Sequence, residues 1–285
     1  IPDQLIALEH LPLACFPQVP GAHSRAWNGA DQLLRQFALD RNCAPDSTMV
    51  VNEQHGAISL TMNQCDVWTD SKLAEISIHK NAVTLKVEPP RIYPATDFPA
   101  GHYQLVLVRI PKDLAFFKHQ LRRLDSELEP GTTVVCAGMD KHLSRKTAQV
   151  IESILGCTER VRGRLKARIF VSQTGASPRA VQHSDSWEID IPEFTLPIVS
   201  RPGVFSGKQL DIGTLFFLQQ FDQLPPSKQI VDLACGNGVL GIAAAQKLPA
   251  ADLSFVDESH IAISCSRENW AQHQGTRSAG FMCSD

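Results

Sequence analysis

Residues Ile230 to Ala245 read IVDLACGNGVLGIAAA. An apolar run ends in an acid, glycines follow, and a second apolar run begins. Led in by Gln229, the first run reads as a buried strand closing on the Asp232 carboxylate. VLGIAAAQKL, from Val239, is a helix former. Strand, glycine turn and helix make a βα unit whose helix N-terminus faces the turn. Gly236 and Gly238 let a ligand approach the backbone with no Cβ in the way.

The spacing Gly236-x-Gly238-x-x-Gly241 satisfies the dinucleotide fingerprint, and Asp257 lies 21 residues beyond Gly236. Asp232 argues against a dinucleotide. A carboxylate at the strand end would repel a pyrophosphate, and it suits a cationic ligand such as the amino group and sulfonium of S-adenosylmethionine. The pattern D-x-[GA]-x-G-x-G is the usual mark of the class I methyltransferase loop. The next strands agree. ADLSFVDES places Asp257 where one carboxylate can accept from both ribose hydroxyls, and GFMCSD ends in Asp285, placed to meet an adenine. The candidate cofactor residues are therefore Asp232, Ala234, Gly236, Asn237, Gly238, Asp257, Glu258 and Asp285. A nicotinamide cofactor, or three merely solvated strand ends, are the alternatives.

The earlier half echoes this unit. STMVVNEQHGAISLTM matches QIVDLACGNGVLGIAA, read with Val51-Asn52 under Val231-Asp232. GADQLLRQF lies under QLDIGTLFF, pairing Asp31 with Asp211, and DSKLAEISIHKNA lies under ESHIAISCSRENW, pairing Ser71 with Ser259 and Asn81 with Asn269. Two tandem copies of one α/β fold are expected. In this alignment Asn52 replaces the acid, the first turn is two residues shorter and keeps only Gly56, and Thr69 stands for Asp257. The first copy is expected to fold and to hold no cofactor.

Helices are expected near 28–39, 71–80, 112–128, 142–155, 208–222, 238–247 and 259–272, and strands near 47–51, 65–69, 83–87, 103–109, 132–137, 166–172, 228–232, 252–256 and 280–284. Strands alternating with helices imply a largely parallel sheet. The domains are read as 1–175, a linker with a hairpin over 176–200, and 201–285.

Composition narrows the class. Hydrophobic content of 43% and charge of 20% are ordinary for a globular protein. No apolar run is long enough to span a bilayer, and the first residues show no signal-peptide pattern. Eight scattered cysteines without a CxxC pair suggest a reducing cytosol. Ten histidines show no metal-ligand spacing, so no metal site is expected. The first residue is Ile1, which suggests a trimmed N-terminus.

With the loop, the repeat and the lead-in RPGVFSGKQLDIGTLFF in hand, the chain resembles the bacterial ribosomal RNA guanine-N2 methyltransferases. In these a degenerate methyltransferase-like domain precedes an active one. WNGADQLLRQF, VVNEQHGAISL and LVLVRIPKDLAFFKHQLRRL bring it nearest the large-subunit branch. The resemblance implies two tandem class I methyltransferase folds, the second stopping after its third strand. It implies S-adenosylmethionine as cofactor, methylation of a guanine N2 in 23S rRNA, rRNA as partner, no membrane, and a cytoplasmic location. Phe205 and Asp211 would border the cofactor; otherwise Phe205 is core and Asp211 a first-turn helix acid. Ala234 stands where the family often has glycine. The family's catalytic Asn-Pro-Pro-Phe follows a fourth strand, whereas this chain stops at Asp285. By the ruler of the first copy, roughly 80–100 residues of the second are expected to be missing. No catalytic residue is assigned, and the chain as it stands is expected to be inactive. Rival readings are a small-molecule methyltransferase and a non-catalytic RNA-binding protein.

Net charge is −3, yet from Lys141 to Arg168 eight Lys or Arg face only Glu152 and Glu159, so that segment is +6 and the rest −9. In ERVRGRLKARIF the cations Arg160, Arg162, Arg164, Lys166 and Arg168 fall at period two. If the whole stretch is extended, all five line one face. Such a ribbon suits an RNA backbone; otherwise it is a solvated strand charged against edge pairing.

Overall fold

The computed structural model describes residues 7–18, 25–41, 43–62, 64–175, 186–192, 195–205 and 207–284, without the side chains of Val161, Arg162 and Arg164. The chain divides into two compact units, Ile1–Gln182 and His183–Asp285.

In the first unit α1 (Gly29–Arg41) precedes β1 (Thr48–Val51), β2 (Asp66–Thr69), α2 (Lys72–Leu85), β3 (Arg91–Pro94) and β4 (Leu105–Arg109). Then come α3 (Leu114–Glu127), β5 (Thr133–Met139), α4 (Thr147–Leu155), β6 (Glu159–Arg164) and β7 (Ala167–Gln173). The seven strands lie in the order β3-β2-β1-β4-β5-β7-β6. The first five are parallel, and β7 and β6 are antiparallel. Strand alternation divides the core into two layers. Val50, Leu105 and Leu107 face Leu34 of α1 and Ile78 of α2. Met49, Val51, Val106 and Val108 face Phe117 of α3 and Ile151 of α4. The strand order reverses between β1 and β4, which opens a crevice at their carboxyl ends.

The second unit begins with the hairpin β8 (Trp187–Ile189) and β9 (Ile198–Ser200), followed by α5 (Ile212–Gln219). β10 (Gln229–Leu233), α6 (Val239–Lys247), β11 (Asp252–Asp257), α7 (His260–Gln274) and β12 (Gly280–Cys283) complete it. Its sheet is parallel, in the order β10-β11-β12. No helix among the described residues is long and apolar enough to cross a membrane.

Several expectations need correction. The strand read at 83–87 is not formed: α2 runs to Leu85 and closes on Lys86 in the left-handed region. Pro89 and Pro90 then delay the strand to Arg91. The helix read at 142–155 starts only at Thr147, after a separate 3-10 turn at Asp140–His142. The helix read at 208–222 is α5 plus a separate 3-10 turn, Phe221–Gln223. ERVRGRLKARIF is not one extended strand. It folds back at Leu165 and Lys166, whose φ values are 56° and 57°, into the β6–β7 hairpin.

The repeat is closer than its first alignment. Val51 pairs with Trp68 as Leu233 pairs with Val256. Asn52 (φ 61°) therefore matches Ala234 (φ 57°), and Gly56 matches Gly238, both at φ 81°. Leu60 N–H donates to Gly56 O as Ile242 N–H donates to Gly238 O. The two turns have the same length, and Val50, not Asn52, stands at the position of Asp232. The true shortening comes afterwards: a single 3-10 turn, Ser59–Thr61, replaces the nine-residue α6.

Candidate functional site

The site of the second unit gathers at the carboxyl ends of β10 and β11. Asp232 is only 9% exposed, and its Oδ2 accepts from the Gly241 N–H at 2.8 Å, in the first turn of α6. Among the described residues its other oxygen has no hydrogen-bond partner and no cation pairs with it. Burial pushes its carboxyl up to about 6, and the charge of Asp257 adds to the rise. A buried acid with a spare oxygen and a second acid near it is an uncompensated negative site.

Asp257 closes the turn from the other side. Its Oδ2 accepts from Gly236 N–H and its Oδ1 from Ser259 N–H, both at 2.9 Å. Gly236 lies at φ 54°, and a Cβ there would come no nearer than 3.8 Å to Val204, so its face is open to a ligand. Gly241 is glycine for packing: a Cβ would sit 2.3 Å from the Phe255 ring, so only glycine lets α6 lie against β11. Ala234 is exposed in the left-handed region, where glycine is the unstrained residue. Glu258 is exposed beside Asp257. Asp285 lies outside the described residues.

The turn is held from behind by Asn269, which is fully buried. Its Oδ1 accepts from Val199 N–H at 2.8 Å, and its Nδ2 donates to Val199 O at 2.7 Å and Asn237 O at 2.9 Å. Asn81 repeats this set in the first unit: it accepts from Ala14 N–H at 3.0 Å and donates to Ala14 O and His55 O, both at 2.9 Å. Sequence alignment paired the two asparagines but did not reveal the tie. Val204 was legible only as part of PGVFS. Phe205 is 77% exposed, which removes the reading of it as core. Asp211 caps α5 by accepting from the N–H groups of Gly213 and Thr214.

The corresponding turn of the first unit is filled by its own side chains. Asn52 and Gln120 exchange hydrogen bonds at 2.8 Å, and Asn52 also donates to Arg109 O at 3.0 Å. Arg109 pairs with the buried Asp31 at 2.7 Å. Glu53, fully buried and pushed up to about 7 by that burial, accepts from the N–H groups of Ile58 and Ser59. Ser59 stands where Gly241 stands, so a carboxylate still serves that amide but comes from the turn instead of the strand.

The five cations read as one ribbon are divided by the hairpin. Arg160 sits on β6, Lys166 in the turn and Arg168 on β7. Arg160 pairs with Glu152 and Arg168 with Asp140, each at 2.7 Å. The side chains of Arg162 and Arg164 lie outside the description.

A parallel βα sheet with a buried acid beside its glycine turn, preceded by a copy whose turn is tied up by its own side chains, has the architecture of a two-unit methyltransferase. The RLMG N-terminal domain family matches residues 3–176, and the Methyltransferase small domain family matches residues 195–285. Ribosomal RNA large subunit methyltransferase G of Ectopseudomonas mendocina is 34% identical over 94% of this chain and 73% of its own length. The protein of the same name from Streptomyces avermitilis is 36% identical over 96% of this chain and 74% of its own. The chain belongs to this ribosomal RNA large subunit methyltransferase G family, and it spans about three quarters of these relatives' length. The solved T. thermophilus 16S rRNA N2 methyltransferase (RsmC), in complex with AdoMet and guanosine, has the same fold. Its TM-score is 0.71 at 18% identity, over 94% of this chain and 74% of that one.

Proposed function

We propose that the protein transfers the methyl group of S-adenosylmethionine to the exocyclic N2 of a guanine in large-subunit (23S) ribosomal RNA. The observation that carries this reading is Asp232, a buried, unpaired carboxylate facing an open glycine turn. Its chemistry fits the positively charged methionine end of that cofactor. Asp232, Ala234, Gly236, Asn237, Gly238, Asp257 and Glu258 form the cofactor cradle, with Asp257 for the ribose and Asp285 toward the adenine. Family membership supports RNA as the substrate.

Bound in the cradle, S-adenosylmethionine supplies an electrophilic methyl group. The guanine amine is a weak nucleophile because its lone pair is delocalised into the ring. The work left to the protein is to hold that amine in line with the methyl group and to keep water away. A base in folded RNA must be splayed from its stack to reach such a pocket. The first unit, with its own turn filled, serves the RNA through its basic segment.

The test is methyl transfer from labelled S-adenosylmethionine by the full-length protein to naked 23S rRNA, to 16S rRNA and to the large subunit, with nucleoside analysis of the product. N2-methylguanosine in 23S rRNA is the expected result, reduced at least tenfold in Asp232→Asn. Label in 16S rRNA alone, or none above the Asp232→Asn level, would overturn it.

A further inference from the structure

The basic segment of the first unit holds a distinction that its sequence hides. Its two cations on regular strand positions with described side chains, Arg160 and Arg168, are already engaged by Glu152 and Asp140. Lys141, Arg145, Lys146 and Lys166 are exposed, and none has an ion-pair partner among the described residues.

These four sit on two neighbouring loops at one end of the sheet, the loop leaving β5 and the tip of the β6–β7 hairpin. Met139, the last residue of β5, pairs with Ala167, the first of β7. Asp140 N–H then donates to Lys166 O at 2.9 Å, so the loop leaving β5 runs beside the tip of the β6–β7 hairpin. The tip is also braced from below. A Cβ at Gly29, in the first turn of α1, would lie 2.3 Å from Leu165 O, which shows how closely α1 approaches it. The four cations thus stand on a fixed crown at the carboxyl end of the sheet, the same end as the crevice between β1 and β4.

We propose that this crown, and not a strand face, is where the first unit meets the phosphate backbone of the RNA. The inference rests on the RNA-directed reading above. Four uncompensated cations on one rim, in a chain otherwise at net −7 by formal charge, concentrate positive potential where polyanion is favoured. Arg160 and Arg168 would have to give up a carboxylate each before meeting a phosphate, so they contribute little.

The experiment compares two variants of the full-length protein by fluorescence anisotropy with a labelled 23S rRNA transcript, titrated over a range of KCl concentrations. One variant carries Lys141→Glu, Arg145→Glu, Lys146→Glu and Lys166→Glu; the other carries Arg160→Gln and Arg168→Gln. Circular dichroism and cofactor calorimetry check that both units remain folded. The crown variant is expected to bind at least tenfold more weakly at physiological salt. Its slope of log affinity against log salt should fall by roughly 2 to 3, at about 0.7 per lost single-strand phosphate contact. The paired-cation variant should keep the wild-type slope. A folded crown variant with an unchanged slope would overturn the crown alone, as would an equal loss in the paired-cation variant. Wild-type protein that methylates RNA while showing no salt-dependent binding also sinks the crown but leaves the methyltransferase reading standing. Wild-type protein that neither binds nor methylates RNA overturns both.

Discussion

Asp232 carries the pH behaviour of the site. Its carboxyl is raised from 3.8 to about 6 in the folded unit, chiefly by burial. The folded state therefore holds the proton more tightly than the unfolded chain. Stability of the second unit without ligand should fall as pH rises from about 4 to about 6, then level off. Cofactor binding runs the other way, because a cationic ligand needs the ionised acid: affinity should rise through about pH 6 and then plateau. Asp232→Asn keeps an acceptor for the Gly241 amide but removes the charge. Calorimetry across pH should show the profile flattened and affinity lowered about 10- to 100-fold, the worth of one hydrogen bond to a charged group. A variant that retains the wild-type pH profile would assign the profile to another group.

Between elements, Asn269 and Asn81 offer a control within one chain. Each ties a long helix to a preceding segment and to the carbonyl before a left-handed turn glycine, Gly238 or Gly56. The tie persists in the unit whose turn is filled, so it shapes the turn and does no chemistry. Truncating either residue removes three side-chain-to-backbone hydrogen bonds, at about 1 kcal/mol each, so each substitution should destabilise its own unit by about 3 kcal/mol. Asn269→Ala should also weaken cofactor binding in the fraction that stays folded, whereas Asn81→Ala should leave binding unchanged. Chemical denaturation of each variant beside calorimetry separates the two effects. Equal loss of affinity in both variants would contradict the assignment. Two helix starts were read correctly, at 71 and 259, where Ser71 and Ser259 cap the helices that follow. NAVTLKV misled because its alternation lies inside a helix that ends only at a left-handed lysine.

At the scale of the molecule, two units with separate cores should unfold as two transitions. With the cofactor site on the second unit, as proposed, saturating S-adenosylmethionine should move one transition and leave the other in place. At 100 times Kd the gain is about 2.7 kcal/mol. The first unit holds two opposed pH-dependent groups. Glu53, raised from 4.5 to about 7 by burial, destabilises it as pH rises across that window, and His55, lowered from 6.5 to about 4 by burial, stabilises it across nearly the same range, so the two largely offset. Glu53→Gln should leave the His55 contribution alone, so that the unit's transition rises with pH from about 4 to about 6.5 in differential scanning calorimetry. A single transition that shifts as one with cofactor would show that the units unfold together.

The sequence by itself determined the βα turn, its acid and its glycines, because an apolar strand, a tight turn and a helix start each demand particular residue types within a few positions; it read that strand as buried, whereas β10 stands at a sheet edge with Val231 and Leu233 exposed. It also revealed the duplication, since caps and core positions recur at nearly constant offsets. Only tertiary structure decided the register of the copies, the filling of the first turn and the division of the basic segment. Register depends on which strands hydrogen-bond across the sheet, and Leu165-Lys166 turns where strict alternation predicts extension. The partners of Glu53, Asn52 and Arg168 come from segments distant in sequence or from backbone amides, and no local pattern encodes them.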